Sequence, residues 1–129
     1  MSFVTSSFLR RALTADAAIS GATGVVMIVA ADVLAGLLSV PATLLRYAGI
    51  SLIPFVVYLF YLSRRPLLAP GSVWLVIALN IAWVIASGLV LLSGQIHPNA
   101  FGYAFVIGQA IAVAAFAEVQ YVGLRSKPA

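Results

Sequence analysis

Two of this chain's three acidic side chains lie within long apolar stretches at similar depth, Asp16 near one end of the chain and Glu118 near the other. An acid within a membrane-length helix costs a few kcal/mol at the bilayer centre and less near its ends, so each needs a physical reason. At 1.5 Å per residue from the nearest arginines, Asp16 lies roughly 8 Å and Glu118 roughly 10 Å inside the same boundary. Two like charges brought close together make one of them hold a proton more tightly, which is the chemistry of a proton-coupled site. The structural alternative is interfacial pairing with Arg11, Arg64 and Arg125. For Asp16 the positive end of its own helix adds to that alternative.

Three further polar side chains fall at similar depth. Ser20 lies at roughly 13 Å and Tyr58 at about 10 Å by the same count, and Asn80, counted from Gly71, at about 13 Å. Asp16, Ser20, Tyr58, Asn80 and Glu118, drawn from all four apolar stretches, are therefore the candidate ligand or proton site. Helical phase supports part of this grouping. Asp16, Ser20 and Thr23 share one face, as do Asn80, Trp83 and Ser87. Tyr47, Ser51, Pro54, Tyr58 and Tyr61 form a seam on the second stretch. On the fourth, Gln109, Ala112, Phe116 and Gln120 share a face, with Glu118 roughly opposite Gln109. Glu118 and Gln109 thus cannot both point at one axis without a distortion. Asn80 suits interhelical hydrogen bonding, worth about 0.6 kcal/mol on average in membranes. Gln109 and Ser87, at equal depth, form a second such pair. Asp32 and Arg46 flank the first turn at matching depth and predict a salt bridge near the opposite surface.

The remaining inventory excludes more than it suggests. The chain has no cysteine, which removes disulfides, thiol redox chemistry and thiolate metal ligands. Its single histidine, His97, sits in a turn beside Pro98, so no helix offers an axial haem ligand. The one lysine, Lys127, is in the tail, where it cannot anchor a mid-membrane aldehyde. No nucleophile–base pair and no metal cluster stands out, so neither an enzyme nor a cofactor or metal is expected.

The elements that must position these residues follow from composition. Apolar residues are 64% of the chain and charged residues 8%, against roughly a quarter charged in soluble domains. Apolar runs at about 13–38, 43–62, 72–92 and 99–124 are each long enough to cross a hydrocarbon core of ~30 Å. Short turns containing Pro41, Pro66, Pro70 and Pro98 separate them. The expectation is a single all-α domain over 1–129, a polytopic membrane protein with four transmembrane helices in an up-down-up-down bundle. The first helix should begin behind Thr14 and Asp16 and touch the second and fourth. Its run is too long for a signal-peptide core, so it reads as retained.

Charge placement gives orientation. Arg10, Arg11, Arg64, Arg65, Arg125 and Lys127 cluster at alternate ends, the positive-inside pattern. The net charge of +4 is then a topology signal with contact to anionic lipid, not a nucleic-acid footprint. A bacterial cytoplasmic (inner) membrane location follows, multi-pass, with both termini cytoplasmic. Trp74, Tyr61 and Tyr121 fit an aromatic belt, and Phe3 and Phe8 fit the interface. Pro54 should kink the second helix and free a carbonyl near Ile50. The pairs Ala17/Gly21 and Ser20/Gly24 allow close helix approach, inside the bundle or in a homodimer.

The set Asp16, Ser20, Gly21 and Gly24, then Pro41, Arg46 and Gly49, then Asn80 and Trp83, then Gln120, Gly123, Leu124 and Arg125 resembles a broad group of uncharacterised bacterial four-helix integral membrane proteins. That resemblance implies the fold and carries no activity with it. Small multidrug transporters are similar in size and in a first-helix carboxylate, but theirs is central. Fluoride channels share the helix count without sharing their glycine-rich motifs. The expected function is a non-enzymatic accessory or assembly subunit, or a lipid-binding membrane protein, whose partners are the bilayer and a protein partner or homodimer. The alternative is a small proton-coupled transporter or permease acting as a dimer. There, Asp16 and Glu118 would handle the proton, and Tyr58 and Asn80 the substrate.

Overall fold

The computed structural model describes residues 2–125 and is almost entirely helical. Its elements are β1 (Phe3–Val4), α1 (Ser7–Val29), α2 (Ala31–Leu38), α3 (Ala42–Ser63), β2 (Leu67–Leu68), α4 (Pro70–Leu92) and α5 (Ala100–Arg125). Four of them, α1, α3, α4 and α5, are long and apolar enough to cross a membrane.

The first helix departs from expectation at both ends. It starts at Ser7, before Arg10 and Arg11, because Ser6 caps it: the Ser6 hydroxyl accepts from the Leu9 amide at 3.1 Å. Leu9 and Leu13 are fully buried, so packing carries the helix through the arginines. Thr14 caps nothing, and its hydroxyl donates to the Arg10 carbonyl one turn back at 2.8 Å. At the other end the run does not reach Leu38 unbroken. Ala30 leaves helical geometry (φ −104°, ψ 22°) and α2 continues from Ala31. Neither Pro nor Gly marks that break, so the sequence gives no sign of it. The other three helices fall within two residues of the expected bounds.

The N-terminal residues have a structural role as well. Phe3 pairs with Leu68 and Val4 with Leu67 in a two-residue antiparallel ladder. Phe3 packs against the buried core that contains Leu68. The Thr5 amide donates to the Pro66 carbonyl at 3.0 Å and its hydroxyl to the Arg65 carbonyl at 2.8 Å. Arg10 donates to the carbonyls of Ser63 and Arg65, satisfying the end of α3 with a cation where its dipole is negative. At the far end Asn99 performs the matching task. Its amide group donates to the Leu37 carbonyl at 2.8 Å and its Oδ1 accepts from the Gly102 amide at 2.8 Å. Gly102 is a glycine of necessity, since a Cβ there would overlap the Leu38 carbonyl and Pro98.

Packing is uneven. As expected, α1 lies against both α3 and α5, and α4 lies against α5. The α1–α3 contact is closest at Gly24 and Gly49, where a Cβ on Gly49 would stand 2.7 Å from the Gly24 carbonyl. In contrast, the backbones of α3 and α4 stay apart although the helices are consecutive, and their buried residues share a core cluster only through Leu59, Leu62, Val73, Val76 and Ile77. The bundle is therefore closed on three sides and open on the fourth. Outward faces are predominantly apolar: Val29, Val57, Ile85, Leu92, Phe101 and Ile111 are all well exposed.

Candidate functional site

One buried polar cluster joins three helices. The Asp16 carboxylate, fully buried on α1, accepts three hydrogen bonds. Ser20, one turn along the same face, donates to Oδ1 at 2.8 Å. Asn80 of α4 donates to Oδ2 at 2.9 Å, and Gln120 of α5 donates to the same oxygen at 2.6 Å. The second Asn80 N–H closes a ring by donating to Gln120 Oε1 at 3.0 Å. Both amides are as buried as the acid, at 2% and 0% exposure, so the bonds are formed out of water, where an unmade one costs most. A carboxylate accepts at both oxygens, which fixes which way each amide is turned. No buried side-chain polar atom among the described residues lacks a partner.

The cluster forms the inner wall of the open side. Between α3 and α4 lies a cleft of about 380 Å³. Its apolar lining includes Leu52, Phe55, Leu75 and Leu79, and its polar lining includes Ser20, Tyr58 and Asn80. Pro54, inside α3, also lines it. Trp83 stands between this cleft and a second of about 190 Å³ further along, lined by Met27, Leu44, Phe105 and Gln109 among others. It is held there by donating to Gln109 Oε1 at 2.6 Å, and Gln109 in turn donates to Ser87 at 3.0 Å. The expected Gln109–Ser87 pair is thus formed, with Trp83 as a third member.

Of the five residues singled out from sequence, four lie together and one does not. Asp16, Ser20 and Asn80 share the cluster, and Tyr58 shares the cleft. Glu118 is a correction. It is exposed on the outer face of α4 and α5, in a shallow groove with Trp74, Ile81 and Tyr121. The helical phase that turns Gln120 inward turns Glu118 outward, so the two acids do not form a proton-sharing pair. Interfacial pairing with arginines is not how Asp16 is satisfied either, since Ser20, Asn80 and Gln120 supply its donors. Gln120 is the residue that sequence reasoning passed over, although helical phase puts it on the same face as Gln109.

The remaining sequence candidates fall at the two ends. Asp32 and Arg46 form a salt bridge at 3.3 Å, with side chains 84% and 43% exposed respectively. Trp74 packs on Tyr121 with ring centroids 5.6 Å apart, and Arg125 lies over the Tyr121 ring while donating to its hydroxyl. Arg64 and Arg65 lie over Phe60 and Tyr61. Lys127 lies outside the described residues. Among the described residues no group of acids and histidine has the arrangement of a metal site. Gly24, one of the glycines that a homodimer through the first helix would need, is used against Gly49 within the chain.

Family models, curated proteins and solved structures were all compared with this chain, and none matches.

Proposed function

We propose that this chain is a multi-pass membrane protein that binds an amphipathic small molecule, admitted sideways from the bilayer between α3 and α4, and performs no reaction on it. The observation that carries this reading is the cleft itself. It is open along a helix pair, apolar over most of its wall, and ends on a polar cluster whose members all have partners. Its volume is in the range of roughly 300–1,000 Å³ typical of small-molecule sites. The one lining hydroxyl that donates to a carboxylate is Ser20, and that carboxylate, Asp16, is already the acceptor for Asn80 and Gln120, so binding rather than turnover is the reading.

The same reading takes the bundle as up-down-up-down, with both termini on the cytoplasmic side of a bacterial inner membrane. Support comes from the arginines and from end-to-end contacts: Arg10 with Ser63 and Arg65, Gly123 with Leu9, and Trp74 with Tyr121. Arginines gathered at one end and an apolar outer surface are what the positive-inside rule and lipid contact require.

The test is native mass spectrometry of the protein gently extracted from its own membrane. The expected result is a retained small molecule at one copy per chain. Leu79→Trp, which narrows the cleft, should abolish retention without unfolding the protein. A chain that is always empty, or one whose ligand survives Leu79→Trp, would remove the cleft from the account.

A second reading, an accessory or assembly subunit, rests on Glu118. An exposed carboxylate on a membrane-length helix, with no cation within salt-bridge reach among the described residues, is a costly lipid-facing group. A partner helix bearing a basic residue would relieve that cost. Co-migration of a second protein that is lost in Glu118→Leu would favour this reading.

A further inference from the structure

The cleft has a hydrogen-bonding polarity, and that polarity selects the ligand. Five side chains with a polar atom line it: Ser20, Ser51, Tyr58, Asn80 and Trp83. Four of them have every donor hydrogen already committed to the protein. Ser20 donates to Asp16, and Ser51 donates to the Ala48 carbonyl at 2.7 Å. Both N–H groups of Asn80 are taken, one by Asp16 and one by Gln120. The Trp83 N–H is taken by Gln109. What is left uncommitted on Ser20, Ser51 and Asn80 is oxygen lone pairs, and an indole has none to give. Only the Tyr58 hydroxyl is uncommitted as a donor.

From this census we infer that the ligand is an amphiphile whose head donates hydrogen bonds, a primary alcohol or amine on an apolar tail. An ester or ether head would bring acceptors to a wall of acceptors. Its oxygens would find at most the Tyr58 hydroxyl, and they would lose water on entry. A hydroxyl or amine head instead meets the free lone pairs of Ser20 and Asn80, while the tail lies against Phe55, Leu75 and Leu79. Asp16 sets this polarity without lining the cleft. Because both its oxygens accept, it draws in the donor hydrogens of Ser20 and Asn80 and leaves their acceptors outward. It is a positioning residue for ligand choice. The inference rests on the cleft-binding reading above and specifies the ligand class of that site.

The test uses the full chain in bilayers, with Trp74→Phe leaving Trp83 as the only tryptophan, since the sequence has two. Dodecan-1-ol, dodecylamine and methyl dodecanoate are each titrated against Trp83 emission. The alcohol and amine should shift it at about tenfold lower mole fraction than the ester, the scale of one hydrogen bond made against one denied. Asp16→Asn brings an N–H of its own to the cluster and frees the neighbouring amides to turn. The alcohol-to-ester ratio should then fall toward one, with Ser20→Ala as the second variant should Asp16→Asn not fold. Equal response to all three probes in the parent, or an unchanged ratio in both variants, would overturn the polarity argument and leave cleft binding standing. No response to any probe would overturn cleft binding itself.

Discussion

Asp16 alone among the described residues makes three hydrogen bonds to other side chains. It is the common acceptor for Ser20, Asn80 and Gln120, and it ties α1 to both α4 and α5. Interhelical hydrogen bonds in membranes average only about 0.6 kcal/mol because the unfolded helices find other partners. Losing two of them together with the intrahelical Ser20 bond predicts that Asp16→Leu destabilises by about 1–2 kcal/mol, with Asp16→Asn close to half that. Equilibrium unfolding in mixed micelles would measure both. Asp32 and Arg46 stand at the other extreme. Their bridge is formed but exposed on both sides, so water and salt screen it. A double-mutant cycle should return a coupling below about 0.5 kcal/mol, vanishing in molar salt. The sequence displayed Asp16, Ser20 and Asn80 because polar residues are conspicuous in apolar runs. It misdirected at Glu118 because formal charge draws attention that phase does not support. Gln120, two residues further on, is about 200° around the helix from Glu118 at roughly 100° per residue, which is why one is buried and the other is not.

At the scale of elements, length and hydropathy settled which segments are helical, and small residues decided how close they come. Gly24 and Gly49 let α1 and α3 meet backbone to backbone. Gly49→Ala would place its new methyl 2.7 Å from the Gly24 carbonyl and 2.9 Å from Ile28, and neither α1 nor the carbonyl can yield without shifting the helix. A loss of about 1–3 kcal/mol is expected, typical of overpacking. Gly88→Ala is the control, because a Cβ there meets nothing within 4 Å. Replacing glycine by alanine within a helix should leave that variant as stable as the parent or slightly more so. Thermal unfolding of the two variants side by side separates packing from propensity. The sequence showed the glycines of the first helix but not their target, since a small-xxx-small pair identifies a contact face without naming the partner. It also hid the helix start. Ser6 is a sound cap, but the mixed polar and apolar character of the first nine residues obscured it. The break at Ala30 was hidden for the opposite reason, because alanine is the best helix former and only tertiary context overrides it.

For the whole molecule, the decisive feature is the contact that is missing. Helix lengths and short turns imply a ring of four neighbouring contacts, yet the ring is open where α3 meets α4. Nothing in hydropathy distinguishes a helix face packed on protein from one packed on lipid, so the cleft was not legible before the helices were placed. Whether the opening admits solutes can be read from three consecutive positions on α3. Val57 is 63% exposed on the outer surface, Tyr58 lines the cleft, and Leu59 is fully buried. The chain has no cysteine, so a single introduced thiol at each position reports without background. A thiol reacts with a maleimide only as thiolate, which needs some water or a polar neighbour. On the membrane reading, lipid around Val57→Cys and packed core around Leu59→Cys both suppress that ionisation, whereas water entering the cleft beside Tyr58→Cys would support it. The Tyr58→Cys variant should therefore label about tenfold faster than either neighbour, consistent with one unit of difference in thiol ionisation. Dodecan-1-ol should slow it back to the neighbours' rate by occupying the same space. Labelling at the rate of the two neighbours would mean that the cleft closes in the bilayer or holds only lipid tails. That result would count against a site built to recognise a polar head.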